Sequence, residues 1–396
     1  MAINILSDRI NQLSVSQTLA MAAKARELKA LGIDIISLSL GEPDFNTPDF
    51  IKEAAKTAID ENWSKYPPVD GYPELKQAII SKFQRDNRLT YQPSNIVVST
   101  GAKQSLYNVA QAMLNEGDEV ILPAPYWVSY YEIVKMAGAV PVEVSTDVTS
   151  DFKITPEQLE AAITPKTKMM WFSSPCNPSG SVYSREELTA LADVLLKHPS
   201  IFVVSDEIYE HITFSGNFCS FASIPGMFER TITVNGVAKA FAMTGWRIGY
   251  IGAPSVIATA CTKLQGQVTS GANSISQRAT IAALEASPSA IKYMVDAFHK
   301  RRDLVINLIN DIPGMKVNFP EGAFYAFPDV SDYFGKTLRG KTINNADDLA
   351  MYLLEEANVA TVTGDAFGAP NCIRMSYATS EELLTEAFRR IKEALV

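Results

Sequence analysis

The sequence predicts an α/β protein with a mostly parallel central sheet in a large domain and with a smaller α+β domain. Apolar runs at residues 169–172, 201–204 and 231–234 each end in polar residues and are separated by stretches of helical character. Short apolar runs arranged in this way are typical of parallel strands that are buried on both faces. Residues 96–99 and 119–122 have the same pattern and are also predicted to be strands.

Two of the helices between these strands have clear start signals. Ser184 and Glu187 have the spacing of a capping box, and apolar residues follow them at helical intervals. Thr155, Pro156 and Gln158 form the pattern of another helix start. Helices that alternate with apolar strands support the parallel sheet.

The texture of the sequence changes near residue 287. A long amphipathic helix is predicted between residues 291 and 309, followed by short strands around 323–327 and 373–377. Thr379 and Glu382 have the spacing of a cap for a last helix. This order of elements is typical of an α+β unit.

The change of texture defines two predicted domains. Residues 46–286 are expected to form the large domain, and residues 287–396 most of the small one. Residues 1–45, with a helix near 17–31, are expected to pack against the small domain and belong to it.

Composition excludes several classes of protein. The 396 residues carry a formal net charge of −9 with no cluster of basic residues, which disfavours nucleic-acid binding. No stretch approaches the ~20 apolar residues of a membrane-spanning helix, and charges occur too early for a secretory signal. The four cysteines are scattered, so neither disulfides nor a zinc site is expected. We therefore expect a soluble cytoplasmic protein that binds no metal, nucleic acid or membrane.

Three polar side chains follow three of the predicted strands, where ligands bind in open α/β sheets. Asn177 lies in a proline-braced turn after the first strand, Asp206 follows the second, and Lys239 follows the third. A carboxylate there can keep a pyridine nitrogen protonated, and a lysine near other cations can act as a nucleophile. Each residue alone also has a structural interpretation, as a helix cap, a turn residue or a solvated side chain.

Taken together, these residues belong to a recognisable motif. Residues 236–249 read Gly-Val-Ala-Lys-Ala-Phe-Ala-Met-Thr-Gly-Trp-Arg-Ile-Gly, with Arg247 eight residues after Lys239. This segment resembles the pyridoxal 5′-phosphate attachment motif of class I aminotransferases, and the resemblance extends over residues 16–374. The family's ordered set is present here as Asn177, Asp206, Tyr209, Lys239 and Arg247.

The resemblance implies fold type I and a role for each residue of the set. Lys239 holds the cofactor in a Schiff base and moves the substrate's α-proton, and Asp206 keeps the ring nitrogen protonated. Tyr209 and Asn177 bind the ring oxygen. Arg247 binds the phosphate, for which its planar fork is well suited.

The same resemblance assigns further cofactor contacts. Gly101, Ala102 and Lys103 lie at the predicted start of a helix, where backbone amides attract phosphate. Trp127 is expected to stack on the cofactor ring, although a core aromatic is the structural alternative. Tyr66 resembles the tyrosine that reaches the cofactor phosphate of the neighbouring subunit, which implies a homodimer with shared active sites.

Arg374 resembles the family's arginine that binds the substrate α-carboxylate in a bidentate manner. It lies in an otherwise apolar predicted strand, so the alternative is a structural salt bridge. Gly41 resembles the glycine whose backbone approaches the same carboxylate. Trp127 and Asn177 are also expected to contact the substrate, since the Asn177 amide can donate to a substrate carboxylate as well as to the ring oxygen.

The second carboxylate of the substrate is assigned to Lys103. Residues 264–276 contain no arginine, unlike the corresponding segment of the better-studied aspartate aminotransferases. The chain instead resembles the bacterial and plastid subgroup, in which this lysine is the second cation and Ser16 and Thr18 are its hydroxyl partners. The resemblance thus implies transfer of an amino group from L-aspartate to 2-oxoglutarate.

Three alternatives remain open. Prephenate could be an additional acceptor, although subgroup members that use it tend to carry a lysine where this chain has Ser14. A cofactor-dependent β- or γ-elimination would retain the motif and change the reaction. A non-enzymatic regulator would need a DNA-binding domain, and no basic helix-turn-helix pattern precedes the core.

Overall fold

The computed structural model describes residues 5–216 and 218–395. The α-helices in these ranges are α1 Asp8–Asn11, α2 Gln17–Ala30, α3 Asp49–Asp60, α4 Pro73–Lys82, α5 Ala102–Met113, α6 Ser129–Met136, α7 Pro156–Ala162, α8 Arg185–Leu196, α9 Ser255–Val268, α10 Ser274–Glu285, α11 Lys292–Asn310, α12 Ala346–Glu356 and α13 Glu381–Leu395. The strands are β1 Ile36–Ser37, β2 Ile96–Ser99, β3 Glu119–Ala124, β4 Val140–Ser145, β5 Thr167–Ser173, β6 Phe202–Asp206, β7 Thr231–Gly236, β8 Gly249–Gly252, β9 Tyr325–Ala326, β10 Thr337–Leu338, β11 Lys341–Thr342, β12 Val359–Ala360, β13 Val362–Thr363 and β14 Ile373–Ser376.

Seven strands in the described part of the chain form the main sheet, in the order β2-β8-β7-β6-β5-β3-β4. All neighbouring pairs are parallel except those that involve β8, which is antiparallel to both β2 and β7. The predicted α/β class with a mostly parallel sheet is therefore confirmed.

Helices cover both faces of this sheet because successive strand residues point to opposite sides. In β2, Val97 joins an apolar cluster with Leu106 and Val109 of α5. Its neighbour Val98 belongs to a cluster that contains Ile51 of α3 and Leu75 of α4. Burial on both faces explains why these strands read as continuous apolar runs.

The short sheets involve the two ends of the chain. Strand β1 pairs in parallel with β12, and β14 lies between β13 and β9 in a three-stranded antiparallel sheet. The first of these pairings ties residues 36–37 to residues 359–360. One large apolar cluster contains Val98 of the main sheet together with Phe298 of α11 and Ile391 of α13. The core is thus continuous between the main sheet and the C-terminal helices.

The predicted helix starts in the middle of the chain are confirmed. Helices α7 and α8 both begin with a complete capping box, formed by Thr155 with Gln158 and by Ser184 with Glu187. Thr379, however, was the wrong cap for α13. The Leu383 amide donates to the Ser380 hydroxyl at 3.3 Å, so the cap is one residue later, where the chain enters the helix.

Two smaller boundaries also differ from the sequence prediction. Ile291 belongs to a 3₁₀ turn, Pro288–Ile291, that precedes α11. The helix near the N-terminus ends at Ala30. Within the described residues, no helix combines the length and the apolar character that crossing a membrane requires.

The corrected cap gives a test of the structure at the C-terminal helix. Ser380→Ala should lower the free energy of unfolding by about 1 kcal/mol, because an N-terminal amide of α13 loses its acceptor. Thr379→Ala removes the neighbouring hydroxyl and should change it by no more than a few tenths of a kcal/mol. Urea unfolding followed by circular dichroism measures both, and a larger loss in Thr379→Ala would contradict the assignment.

Candidate active site

The carboxyl ends of β5, β6 and β7 bring the three predicted polar residues together. The register pairs Ser173 at the end of β5 with Asp206, and Asp206 with Val234 of β7. Asn177 and Lys239 lie in the loops that follow β5 and β7. The three side chains line one cavity of about 330 Å³.

Lys239 is the partly buried amine of this cavity. Its Nζ donates to the Gly41 carbonyl at 2.6 Å. Burial lowers its pKa to about 8; the positive charges of Arg374 and Arg247 act in the same direction, and the Glu42 carboxylate opposes them. A sizeable fraction of the amine is therefore neutral and nucleophilic near pH 7 to 8.

Asp206 is a buried carboxyl group with two hydrogen-bond donors. Tyr130 donates its hydroxyl to Oδ2 at 2.8 Å, and the Ile208 amide donates to Oδ1 at 3.2 Å. Burial raises the pKa of Asp206 to about 6, while the two donors and the nearby Lys239 lower it. The carboxylate can therefore compensate a cation placed in the cavity.

Tyr209 lies beside the cavity and pairs with another tyrosine. Its hydroxyl oxygen is 2.7 Å from that of Tyr325. Burial raises its pKa well above the usual value, and the neighbouring Tyr325 adds to the shift. Tyr209 thus stays protonated and retains a hydroxyl hydrogen for donation.

The start of α5 and Arg247 form an anion-binding corner. Gly101 has φ 83°, and a Cβ there would overlap the Arg247 guanidinium, so glycine is required for their close approach. In the part of the chain that the structure describes, the amides of Ala102 and Lys103 have no backbone acceptor. Free amides at a helix start next to a guanidinium are well suited to a phosphate.

Lys103 and Trp127 both line the cavity and form a cation–π contact. The Lys103 Nζ lies 4.8 Å from the centroid of the Trp127 ring. Burial and the nearby Arg247 lower the pKa of Lys103, so this ammonium gains from a carboxylate brought close to it.

Arg374 of β14 is only 1% exposed and is held by neutral acceptors. Its Nη1 donates to Asn177 Oδ1 at 3.0 Å and its Nη2 to the Ser39 carbonyl at 2.7 Å. Its Nε has no hydrogen-bond partner within residues 5–216 and 218–395, and the titratable groups there that act on its charge are two tyrosines rather than a carboxylate. A buried guanidinium without an anion favours the carboxylate-binding interpretation over a structural salt bridge.

Gly41 faces the same region. A Cβ at Gly41 would overlap the Tyr325 hydroxyl, so only glycine at position 41 allows the backbone to approach Tyr325 this closely. The Arg374 guanidinium carbon lies 4.7 Å from the centroid of the same Tyr325 ring. The Gly41 backbone, Tyr325 and Arg374 thus lie together on one side of the site.

Two adjoining cavities contain most of the predicted site. The cavity of about 330 Å³ is lined by Ala102, Lys103, Trp127, Asn177, Asp206, Tyr209, Lys239 and Arg247, among others. A second cavity of about 250 Å³ is lined by Ser16, Thr18, Gly41, Lys103, Trp127, Asn177, Lys239 and Arg374, among others. Of the remaining predicted residues, Gly101 lies outside the cavity lining and closely approaches the Arg247 guanidinium. Tyr66 is 96% exposed and lies outside both cavities.

Four residues of the site were missed by the sequence interpretation. Tyr130 binds Asp206, Tyr325 binds Tyr209, and Ser173 and Thr244 line the larger of the two cavities. Ser173 could have been found, because it is a polar residue at the end of a predicted strand. The two tyrosines lie in regions that sequence patterns read as ordinary helix and strand, and only the fold brings them to the site.

An amine of lowered pKa, a buried carboxyl group and two carboxylate-binding cations at the strand ends define a class of enzyme. Such a site binds an anionic substrate and uses a lysine to react with a carbonyl group.

Comparisons with known proteins agree with this class. The family described as aminotransferase class I and II matches residues 33–391. An aspartate/prephenate aminotransferase of Cereibacter sphaeroides is 50% identical over 390 residues, covering 98% of both chains. A bifunctional aspartate aminotransferase and glutamate/aspartate-prephenate aminotransferase of Petunia hybrida is 48% identical, covering 99% of this chain and 83% of its own.

Solved structures show the same likeness. The aspartate aminotransferase of Rhizobium meliloti superposes with a TM-score of 0.95 at 47% identity, covering 98% of both chains. The Thermus thermophilus aspartate aminotransferase with maleate has a TM-score of 0.93 at 42% identity, covering 99% of this chain and 100% of its own. The chain belongs to the class I and II aminotransferases.

Enzymes of this family use pyridoxal 5′-phosphate, and the residues present fit that group. The corner at Gly101 and Arg247 suits the phosphate, Asp206 suits a protonated ring nitrogen, and the Lys239 amine suits the aldehyde. The Ser173 hydroxyl is buried at this cavity beside Tyr130 and Cys176, and it offers a further polar group to the cofactor.

The charge environment of Lys239 gives a prediction that needs no cofactor. Glu42→Gln removes the carboxylate that stabilises the ammonium, so the pKa of Lys239 should fall below its value of about 8. In the cofactor-free protein, the pH dependence of Lys239 labelling by an amine-reactive reagent measures this pKa by peptide mass spectrometry.

Glu53→Gln is the matched control, because Glu53 is an exposed carboxylate that pairs with Lys56 away from both cavities. A Glu42→Gln profile that coincides with the control would show that solvent screens Glu42 from the amine.

Proposed function

We propose that the enzyme transfers the amino group of L-aspartate to 2-oxoglutarate, with Lys239 as the residue that bonds to pyridoxal 5′-phosphate. The observation that carries the proposal is that Arg374 and Lys103 both line the cavity of about 250 Å³ into which Lys239 also points. Two cations next to a reactive amine match the two carboxylates of aspartate and of 2-oxoglutarate.

The names of the relatives support the same substrate class. Several relatives at 46–50% identity are called aspartate or aspartate/prephenate aminotransferases. The Thermus structure is described as a complex with maleate, a dicarboxylate. The family match favours amino transfer over an elimination reaction.

Substrate binding is assigned to four side chains. Arg374 binds the α-carboxylate through the N–H groups that remain unpaired, while its bonds to Asn177 and Ser39 hold the guanidinium in place. Lys103 binds the second carboxylate, with the hydroxyls of Ser16 and Thr18 beside it. The Thr18 Oγ1 is buried with no partner among the described residues, so it is available for this contact.

When bound, pyridoxal 5′-phosphate supplies an aldehyde carbon and an electron-withdrawing ring for amino transfer. With that group bound, Lys239 would take the α-proton from the substrate and deliver a proton to the carbon that was the aldehyde, as its lowered pKa permits. Asp206 would compensate the positive charge of the ring nitrogen. Tyr209 would donate to the ring oxygen, and the Nδ2 of Asn177 remains for the same oxygen because its Oδ1 accepts from Arg374.

The remaining cofactor contacts are proposed from the residues that line the cavity. Gly101, Ala102 and Arg247 would hold the phosphate, and Trp127 would stack on the ring. The two half-reactions use the same groups in opposite directions, so ping-pong kinetics are expected.

Prephenate is the second candidate acceptor. Relatives at 48–50% identity carry it in their names. A larger cavity of about 630 Å³ adjoins the substrate cavity and shares Ser16, Lys103, Val128 and Ser129 with it, which leaves room for a bulkier acid beyond Lys103.

The enzyme is proposed to be a homodimer with shared active sites. Tyr66 is 96% exposed and outside the cavities of its own chain, so its proposed role at the phosphate needs Tyr66 of the partner subunit. Two domains are proposed, with residues 46–286 in the large one and residues 1–45 and 287–396 in the small one, and closure between them would exclude water from the site.

The four cysteines are free and buried, which suits a reducing compartment, and we place the enzyme in the cytoplasm.

The amine at position 239 is tested by its removal. Lys239→Ala should abolish turnover and the visible absorbance band of the lysine-bound cofactor, because no other amine takes its place. Absorbance spectra and a coupled oxaloacetate assay check this, and retained amino transfer would overturn the assignment. A screen of single amino acids against the loaded enzyme, following loss of the same band, identifies the amino donor.

The second carboxylate contact is tested at Lys103. Lys103→Gln should raise KM for aspartate roughly tenfold to a hundredfold, because a charge-assisted hydrogen bond is lost. The rate with alanine, which lacks the second carboxylate, should fall much less. Lys197→Gln removes an exposed charge on the far side of α8 and serves as the control. Equal losses for aspartate and alanine would place Lys103 at the cofactor only.

A further inference from the structure

Tyr130 makes a direct contact with the carboxyl group beneath the proposed cofactor site. It donates its hydroxyl to Asp206 Oδ2 at 2.8 Å, and it is 1% exposed. It comes from α6, whereas Asp206 ends β6, so the bond joins two elements that are 76 residues apart in sequence.

Packing fixes the ring of Tyr130 in one orientation. The ring stands edge-on to Trp127, with centroids 5.7 Å apart at 84°, and edge-on to Trp171, with centroids 5.9 Å apart at 84°. Edge-to-face contacts between aromatic rings are favourable, so the two tryptophans hold the Tyr130 ring in place. The hydroxyl therefore reaches Asp206 without further adjustment.

The groups around Asp206 indicate that the Tyr130 hydroxyl favours its ionised form. Lys239 is the cation that faces the carboxyl group, the Ile208 amide donates to its other oxygen, and Tyr209 adds a second buried hydroxyl nearby. Burial alone favours the protonated acid, and Tyr130 is the largest of the contributions that oppose it. Burial and the Asp206 charge also raise the pKa of Tyr130 well above its usual value, so Tyr130 acts only as a donor.

We propose that Tyr130 is a positioning residue that keeps Asp206 ionised and oriented, so that the proton shared between Asp206 and the ring nitrogen of the cofactor resides on the nitrogen. The Tyr130 ring also packs against Trp127, the proposed stacking residue. One tyrosine therefore contacts both the carboxylate and the aromatic side chain that are proposed to hold the cofactor ring. The inference rests on the proposed placement of the cofactor ring over Asp206.

The variant Tyr130→Phe tests this, because it retains the packed ring and removes only the donor. The carboxyl group becomes more basic, and the ring nitrogen of bound ¹⁵N-labelled pyridoxal phosphate should shift towards the unprotonated value in NMR spectra. The rate constant kcat should fall roughly tenfold to a hundredfold, as for a lost hydrogen bond to a charged group. KM for aspartate should change little, since Tyr130 does not line the cavity that contains Arg374.

Tyr352→Phe is a matched control. Tyr352 is a buried tyrosine whose hydroxyl donates to the Ala394 carbonyl at 2.6 Å, and it lines none of the cavities described above. Its loss should leave the nitrogen shift and kcat unchanged. The second control is a cofactor analogue with carbon in place of the ring nitrogen. Tyr130→Phe and the unmodified protein should bind this analogue with equal affinity.

The outcomes separate the inference from the function on which it rests. If the unmodified protein transfers amino groups and Tyr130→Phe leaves the nitrogen shift and kcat unchanged, Tyr130 is only structural and the inference fails. If the unmodified protein binds no cofactor or transfers no amino group, the proposed function fails first. Should Tyr130→Phe fold poorly, 3-fluorotyrosine at position 130, a stronger donor, should move the nitrogen shift in the opposite direction.

Discussion

The desolvation of charged groups at the strand ends is the constraint on which the site depends. Lys239 and Asp206 are taken out of water beside each other, and burial disfavours the charged form of both. The surrounding side chains decide how far each shift goes, with Arg374 and Arg247 acting on the amine and Tyr130 on the carboxyl group. The fold supplies the burial, and a few contacts set the chemistry within it.

The same balance involves Arg374, a buried guanidinium that has no anionic partner among the residues the structure describes. Arg374 is held by an amide oxygen and a backbone carbonyl, which position it without neutralising it. Its positive charge then lowers the pKa of Lys239 before substrate arrives. A substrate carboxylate that binds Arg374 would partly cancel this effect, so the proton affinity of the amine responds to the presence of substrate.

Most of the fold and most of the site could be predicted from the sequence because the signals are local. Apolar runs buried on both faces identify β5, β6 and β7, and the residues after them identify the chemistry. Tyr130 and Tyr325 could not be found in this way, because their partners lie 76 and 116 residues away and their own surroundings in sequence are unremarkable. The cap of α13 was misplaced by one residue, since Thr379 and Ser380 are equally good caps and only the path of the backbone separates them.

The bond between Arg374 and the Ser39 carbonyl spans 335 residues of the chain. During synthesis, residues near the N-terminus leave the ribosome long before β14 is made, and the strand pairing that carries the arginine must wait for it. The guanidinium proposed to bind the α-carboxylate can therefore be fixed in place only after nearly the whole chain has been synthesised.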